Sequence, residues 1–230
     1  LEAKAVNTQE TVTCNGFVEI SGRKFHCWKK GGHGKVNLTG ALRESCDVFF
    51  YEMAQRIGID GISAMNGRLG LGQKFDLPLS GMSKGVNPSR EWKQQKYKLE
   101  WLIGDTINAS IGQGYTAATP MQLATMVARM ASDRAVTPRF VRPADGTDSP
   151  ASPLGVDAAN LAMVHQGMFE VSNSERGTAY ASRIADPALA MAGKTGSSQV
   201  FSITAEERAA GVRSQAELPW NRRDHALFVG

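Results

Sequence analysis

The 230-residue chain is predicted to fold as an α/β (α+β) domain, with an antiparallel sheet packed against helices. Apolar residues recur at helical spacing over residues 38–57, 119–132 and 156–171. Short β-rich runs near both ends of the chain are bounded by turn residues. With 42% apolar and 21% charged residues the chain can bury a core, and it has no run of eighteen apolar residues that would span a membrane.

The first elements are predicted around a short turn. Residues 17–20 and 25–28 are apolar runs, and the Ser21-Gly22-Arg23-Lys24 segment between them is typical of a hairpin turn. Residues 1–5 are expected to be the last turns of a helix that is already under way.

Two helices are predicted in succession over residues 38–57 and 59–69, separated by Gly58 and ended by Gly70. The apolar face of the first consists of Leu42, Phe49, Phe50, Met53, Ala54 and Ile57. Residues 72–106 contain prolines, glycines and many charges, and we expect them to form a long surface excursion.

The second half of the chain continues the alternation. Thr119 and Pro120 predict the start of a helix over residues 119–132, because a threonine cap and a proline at the first helical position are both favoured there. A Pro- and Ser-rich connection over residues 143–153 leads to the helix predicted over residues 156–171. Strands are predicted near residues 189–203 and 224–230.

The segment Lys194-Thr195-Gly196-Ser197 has the composition of an edge strand that lies against an acyl substrate. Glycine lets the backbone approach a ligand, alternating hydroxyls face it, and a lysine can hold a carboxylate. A surface turn could also contain this short pattern by chance. Two further segments favour the catalytic interpretation.

These segments are Ser45-Cys46-Asp47 and Gly112-Gln113-Gly114-Tyr115, the latter followed by Thr119-Pro120-Met121-Gln122. In this order they resemble the penicillin-binding transpeptidases, whose motifs are Ser-x-x-Lys, Ser-x-Asn/Asp and Lys-Thr/Ser-Gly. The Gly-Gln-Gly-Tyr turn and His33 between two glycines resemble the elongation-specific class B members. This resemblance covers essentially the whole chain and implies the penicilloyl-serine transferase fold.

The resemblance also implies roles for individual residues. Ser45 would relay a proton toward the leaving group, and Asp47 would cap the helix after a break at Ser45 and bond the nucleophile-motif lysine or the substrate amide. Lys194 would set the electrostatics of the cleft. Substrate binding would fall to three residues of the strand motif: the Thr195 and Ser197 hydroxyls would hold the carboxylate, Gly196 would allow close approach, and the Ser197 N–H would be one oxyanion donor. For Ser45 and Asp47 the alternative is simple helix capping.

One family motif does not match. The Ser-x-x-Lys nucleophile should precede the Ser-x-Asp element at a distance that places it before residue 1. Ser21 and Lys24 satisfy the bare pattern, but they lie in the predicted hairpin turn. Residues 1–230 are therefore expected to be a partial transpeptidase domain without the nucleophile helix or the C-terminal strand and helix, and to be inactive alone.

The implied activity of the intact protein is D,D-transpeptidation of peptidoglycan stem peptides during cell elongation, on the periplasmic side of the inner membrane and inhibited by β-lactams. Expected partners are the elongation glycosyltransferase and cell-shape proteins, through regions outside this chain. A β-lactamase or β-lactam-sensing receptor domain and an inert scaffold module are the alternatives. The net charge of +4 is dispersed, which does not favour nucleic-acid binding.

All three cysteines and one histidine fall close together in sequence, as Cys14, Cys27, His33 and Cys46. Three cysteines and one histidine are a common tetrahedral ligand set for structural zinc, which is the cofactor predicted here. A Cys14 to Cys27 disulfide and three unrelated buried cysteines are the alternatives. Because Cys46 is the middle residue of the Ser-x-Asp element, a metal would fix where Ser45 and Asp47 point. No organic cofactor is expected.

Overall fold

The N-terminal strands and the first helices share one apolar core. The computed structural model describes residues 1–141, 150–201, 204, 206–207, 211 and 214–230. Its strands are β1 Val12–Cys14, β2 Phe17–Ile20, β3 Arg23–His26, β4 Gly34–Val36, β5 Lys194–Ser198 and β6 His225–Val229. Its α-helices are α1 Leu38–Arg43, α2 Asp47–Leu69, α3 Arg90–Tyr97, α4 Ile103–Ala109, α5 Pro120–Ser132 and α6 Ala158–Asn173. This mixture of helices and antiparallel strands confirms the predicted class.

The predicted N-terminal hairpin is confirmed. Strands β2 and β3 pair antiparallel, with Ile20 opposite Arg23. The two residues between them, Ser21 and Gly22, both have positive φ (51° and 74°), as a tight two-residue hairpin turn requires. Strands β1 and β4 form a second antiparallel pair around this hairpin.

The expectation of a helix over residues 1–5 is wrong. These residues form a turn in which the Lys4 N–H donates to the Leu1 carbonyl at 2.7 Å, and Lys4 has a φ of 52°. Alanine and lysine favour helix formation, but the propensity of five residues does not offset the free-energy cost of nucleating a helix.

Helix α1 ends just before Ser45, and α2 begins just after it. The side chain of Asn37 accepts a bond from the Gly40 N–H and caps α1. Within α2, Gly58 has a non-helical conformation (φ 72°, ψ 169°), and Gly70 closes the helix with a φ of 97°. These positions confirm the predicted break at Ser45 and the predicted interruption at Gly58.

The prediction of a surface excursion over residues 72–106 is wrong for its second half. Helix α3 starts at Ser89, whose hydroxyl accepts from the Trp92 N–H, and α4 follows. Lys93 of α3 is only 3% exposed because its ammonium lies 2.5 Å from an Asp105 carboxylate oxygen. The many charged residues of this segment predict an exposed loop. In the structure, the ion pair between Lys93 and Asp105 instead joins α3 to α4.

The helices of the second half agree with the sequence. Thr119 caps α5 and exchanges side-chain and backbone bonds with Gln122 in a capping box. Asp157 caps α6, which packs on α1. In the Pro- and Ser-rich connection, residues 142–149 lie outside the described part of the chain.

Strands β5 and β6 pair antiparallel, from Lys194 opposite Val229 to Ser198 opposite His225. The strand predicted over residues 224–230 is confirmed within one residue at each end. The predicted strand near residues 189–203 is too long, because β6 offers a partner over five residues only and Pro187–Leu189 forms a 3₁₀ turn. Residues 202–203 are not among those described. In the described ranges we find no helix with the length and apolar character needed to cross a bilayer.

Candidate active site

Ser45 and Lys194 meet although 149 positions separate them in the sequence. Ser45 lies in the turn between α1 and α2, and its φ of 53° places it in the left-handed region. Lys194 is the first residue of β5, and its Nζ donates to the Ser45 hydroxyl in a short hydrogen bond. The same Nζ donates to the Thr195 carbonyl at 2.9 Å. Two of the predicted catalytic residues therefore face each other.

Burial shapes the chemistry of this pair. It lowers the pKa of the Lys194 ammonium, while the nearby Asp47 carboxylate acts in the opposite direction. A lysine in this environment gives up its proton more readily than a surface lysine, and its Nζ is already bonded to a hydroxyl. The arrangement can hold an anion and can share a proton with Ser45.

Asp47 does not cap α2, so that prediction is wrong. The N-cap residue is Cys46, and Asp47 is the first residue inside the helix. Its Oδ2 instead accepts a bond from the Trp28 backbone N–H at 2.9 Å. Burial, opposed by this bond, raises the pKa of Asp47 to about 7. Asp47 is not a helix cap, but the Ser45 backbone does end α1. Its left-handed φ and the bonds from the Ser45 and Cys46 N–H groups to the Leu42 and Ala41 carbonyls form a Schellman motif, so the capping alternative holds for the Ser45 backbone while its side chain contacts Lys194.

The two hydroxyls predicted to bind the substrate carboxylate, those of Thr195 and Ser197, both lie on β5. The Thr195 Oγ1 lies 2.7 Å from the Thr178 Oγ1, and Ser197 is exposed beyond Gly196. The Gln113 side-chain amide donates to the Ser197 carbonyl at 2.8 Å. The contacts of Gln113 and Thr178 with β5 are not predicted from the sequence. No sequence pattern that we used could have placed either residue beside β5.

A second group missed from the sequence surrounds the Ser45 turn. Glu44, whose side chain is 6% exposed, accepts bonds from the guanidinium groups of Arg43 and Arg176, both at 2.8 Å. Arg43 also pairs with Glu170 of α6 at 2.9 Å. The two guanidinium groups lower the pKa of Glu44 against the effect of its burial. The turn is thus tied by charge to α6 and to the segment that follows it.

The four predicted metal ligands come together in a buried cluster. The ligand atoms of Cys14, Cys27, His33 and Cys46 all lie within 4.8 Å of one another. The His33 Nδ1 lies 3.6 Å from the Cys14 sulfur and 3.4 Å from the Cys27 sulfur. All three cysteines are free thiols, so the structure has no Cys14 to Cys27 disulfide.

The cysteines of the cluster influence one another. A hydrogen bond from Cys46 lowers the pKa of the Cys27 thiol against the effect of its burial. The same bond and burial raise the pKa of Cys46. The His33 Nε2 is buried without a hydrogen-bond partner. A cluster with one stabilised thiolate and an imidazole nitrogen aimed at two sulfurs can hold a soft cation.

The fold, the Ser-x-Asp turn and the Lys-Thr-Gly strand are together typical of the penicillin-recognising class of domains. Residues 1–220 match the penicillin-binding protein transpeptidase domain, and the chain belongs to that family.

Among curated proteins, the chain is 34% identical over 240 residues to the peptidoglycan D,D-transpeptidase MrdA of Escherichia coli, covering all of this chain and 37% of that protein. Among solved structures, it is similar to the penicillin-binding protein (PBP2) in a complex with MreC from Helicobacter pylori, at 30% identity and a TM-score of 0.83, over 97% of this chain and 38% of the other. Pseudomonas aeruginosa PBP2 matches at 34% identity and a TM-score of 0.82, over 99% of this chain and 48% of the other. The chain thus spans little more than a third of the length of the curated relative.

Proposed function

We propose that this chain is part of a peptidoglycan D,D-transpeptidase that cross-links stem peptides during cell elongation and is acylated by β-lactams. The observation that carries the proposal is the contact between the Ser45 hydroxyl and the Lys194 ammonium, which joins two family motifs across the chain. Family membership supports the reaction class.

In this proposal the attacking group is a serine of a Ser-x-x-Lys motif in the part of the protein that precedes Leu1. Ser21 is an unsuitable nucleophile because both it and Lys24, the lysine of its motif, are exposed at a hairpin. The serine oxygen bonds to the carbonyl carbon of the penultimate D-Ala, and the C–N bond to the terminal D-Ala breaks. The serine proton passes through the Ser45 hydroxyl to the leaving amine. The Lys194 ammonium supplies a positive charge beside this hydroxyl.

The strand motif would bind the other end of the substrate. Lys194 and the Thr195 and Ser197 hydroxyls offer a cation and two donors to the terminal carboxylate, and Gly196 leaves the backbone open for close approach. The Ser197 N–H is one candidate donor for the oxyanion. Asp47 would bond the nucleophile-motif lysine, which becomes more favourable once its carboxyl is ionised.

A fluorescent penicillin tests the proposal. The full-length protein should form an adduct that survives denaturation, and Lys194→Ala should lose most of the labelling. The matched control is Lys24→Ala, which removes the lysine of the non-catalytic Ser-x-x-Lys pattern and should label normally. The 230-residue chain by itself should not label. An adduct mapped to Ser21, or full labelling of Lys194→Ala, would contradict the proposal.

We also propose that Cys14, Cys27, His33 and Cys46 bind a structural zinc ion. A tetrahedral zinc with a Zn–S bond of about 2.3 Å and a Zn–N bond of about 2.0–2.1 Å holds its sulfur and nitrogen ligands about 3.6 Å apart. The two His33 to sulfur distances are 3.4 and 3.6 Å, which supports this set of ligands. Four protein ligands leave no position for water, so the ion would have a structural role.

Elemental analysis of protein purified without a histidine tag tests the zinc site. We expect about one equivalent of zinc per chain, its loss in Cys27→Ser and His33→Ala, and its retention in His225→Ala, whose imidazole is exposed. A chelator should lower the melting temperature, because structural zinc can contribute on the order of 10 kcal/mol to folding. Less than about a tenth of an equivalent in the wild-type protein would exclude the site.

The partners and location are proposals of the same kind. We infer a periplasmic site of action, because the reaction takes place on the cell wall. The solved complex of a similar PBP2 with MreC supports a cell-shape protein as a partner. The elongation glycosyltransferase is the other partner that the family resemblance implies, through regions outside this chain.

A further inference from the structure

Ser45 is held in a backbone conformation that a serine rarely adopts. Its φ of 53° lies in the left-handed region, where a Cβ crowds the following carbonyl. A left-handed residue directly after a helix is a common helix end, but glycine is usual there because a Cβ costs about 1–2 kcal/mol. The direction of the Ser45 hydroxyl therefore depends on the contacts that hold the two peptide groups beside it.

Trp28 makes two of those contacts. Its indole Nε1–H is shared between the carbonyls of Glu44 and Ser45, at 3.0 and 2.9 Å. Its backbone N–H donates to the Asp47 carboxylate at 2.9 Å. One residue thus bonds the segment before Ser45, Ser45 itself and the residue two positions later.

The other backbone bonds around this turn come from α1. The Ser45 N–H reaches the Leu42 carbonyl at 3.3 Å, and the Cys46 N–H reaches the Ala41 carbonyl at 2.9 Å. These two bonds are those of a Schellman motif at the end of α1, and they hold the same two planar peptide groups whose carbonyls accept from the indole N–H. Rotation of the peptide group between Glu44 and Ser45, which changes the Ser45 φ, would break both the bond to the Leu42 carbonyl and the indole bond to the Glu44 carbonyl.

Trp28 is itself oriented from the opposite side. Its ring meets the His33 imidazole edge to face, with the ring centroids 5.5 Å apart. It directly follows Cys27 in sequence, at the end of the hairpin that carries this cysteine. The indole therefore lies between the Cys and His cluster and the Ser45 turn.

We propose that Trp28 is a positioning residue for the transpeptidation reaction: it holds Ser45 in the left-handed conformation that directs its hydroxyl at Lys194. This inference rests on the proposed function for its kinetic consequence, but its structural content can be measured separately. The indole N–H is the group that acts, and the ring alone does not suffice.

Two variants isolate that group in the full-length protein. Trp28→Phe keeps an aromatic ring near His33 and keeps the backbone N–H that bonds Asp47. Replacement of Trp28 by 3-benzothienylalanine keeps the size of the indole and exchanges only its N–H for sulfur. Trp220→Phe is the control, because Trp220 is 83% exposed. The acylation rate constant and the dissociation constant for a fluorescent penicillin are measured apart, together with zinc content and a crystal structure.

Both Trp28 variants should slow acylation about tenfold or more, since small misplacements of a reacting group have large effects on rate. The dissociation constant and zinc content should remain within about twofold of wild type. The crystal structures should show Ser45 leaving the left-handed region, and Trp220→Phe should resemble wild type. An unchanged Ser45 φ in the benzothienylalanine variant, with acylation within twofold of wild type, would overturn the proposal.

Loss of zinc from the benzothienylalanine variant would also overturn it, because Trp28 would then act on the Cys and His cluster. If the wild-type protein is not acylated at all, the proposed function fails. In that case the Ser45 φ in the benzothienylalanine variant decides the positioning role by itself.

Discussion

The hydroxyls of Thr178 and Thr195 lie 2.7 Å apart, so the segment that follows α6 is bonded to the strand motif. The Thr178 N–H also donates to the Arg43 carbonyl at 3.2 Å, just before the Ser45 turn. Thr178 thereby connects the two halves of the candidate site.

The Thr178 hydroxyl is expected to orient that of Thr195 toward the substrate carboxylate. Thr178→Val has nearly the same shape but cannot make the bond, and we expect penicillin to bind about three to ten times more weakly. This range corresponds to about 0.5–1.5 kcal/mol, the net contribution of one neutral hydrogen bond.

Thr178→Ser is the matched control for that experiment, because it keeps the hydroxyl and removes a methyl group. It should bind penicillin nearly as well as the wild-type protein, as measured by titration with a fluorescent penicillin. Equal weakening in the Val and Ser variants would assign the effect to packing and not to the hydroxyl.

A second prediction concerns pH. Burial lowers the pKa of Lys194 from its ordinary value of 10.5, so the ammonium is lost at a lower pH than for an exposed lysine. If the cation is needed to bind the carboxylate, acylation should be present below this lowered pKa and should decline as the pH rises through it. The measurement is the pH profile of the acylation rate for the full-length protein.

Lys194→Arg checks the origin of the decline, since arginine remains protonated throughout this range. The variant should be slower at every pH because its guanidinium does not fit the place of an ammonium. Its alkaline decline should nevertheless move to higher pH. A decline at the same pH as in wild type would show that another group titrates.

The sequence predicts those residues of the site that belong to a recognisable motif. Ser45 and Lys194 are predicted because their motifs resemble those of the penicillin-binding transpeptidases, and the structure brings the two side chains together. Thr178 belongs to no such motif, and the Gly-Gln-Gly-Tyr motif does not specify what Gln113 contacts. Their roles in the site depend on where the folded chain places their side chains. Their contacts with β5 span 17 and 84 positions, which no local pattern encodes.

The same distinction applies to the fold. Thr119 is a cap whose effect is local, and the start of α5 follows from the sequence. Helix α3 was missed because its Lys93 is buried by a partner twelve positions away, Asp105, and charge alone predicts exposure. The length of β5 was overestimated because a strand ends where its partner does, and β6 is distant in sequence.

A third prediction concerns the charges beside Ser45. Glu44→Ala removes a buried carboxylate that bonds two guanidinium groups, and we expect it to lower the free energy of unfolding by about 2–3 kcal/mol. Arg176→Ala should cost less than about 1 kcal/mol, because its side chain is 59% exposed and Glu44 keeps Arg43. Chemical denaturation of both variants gives the comparison. An equal loss in the two would mean that the surface pair with Arg176, and not the burial of Glu44, dominates.

The last prediction concerns the loop that carries His33. It distinguishes the free-energy cost of a left-handed backbone conformation from the cost of steric overlap with a neighbouring strand. Gly22 and Gly32 have nearly the same φ, 74° and 76°. A Cβ on Gly22 would meet nothing within 4 Å, whereas one on Gly32 would lie 2.1 Å from the Cys14 carbonyl oxygen and 2.7 Å from the Gly16 nitrogen.

Alanine at either position costs about 1–2 kcal/mol for its left-handed conformation. Gly32→Ala must in addition push β1 away from the His33 loop, so it should destabilise the protein by several kcal/mol more and reduce its zinc content. Gly22→Ala should keep full zinc content. Measurement of unfolding and metal content in the two variants decides the matter, and equal behaviour would mean that the Cys14 strand moves aside without separating its sulfur from His33.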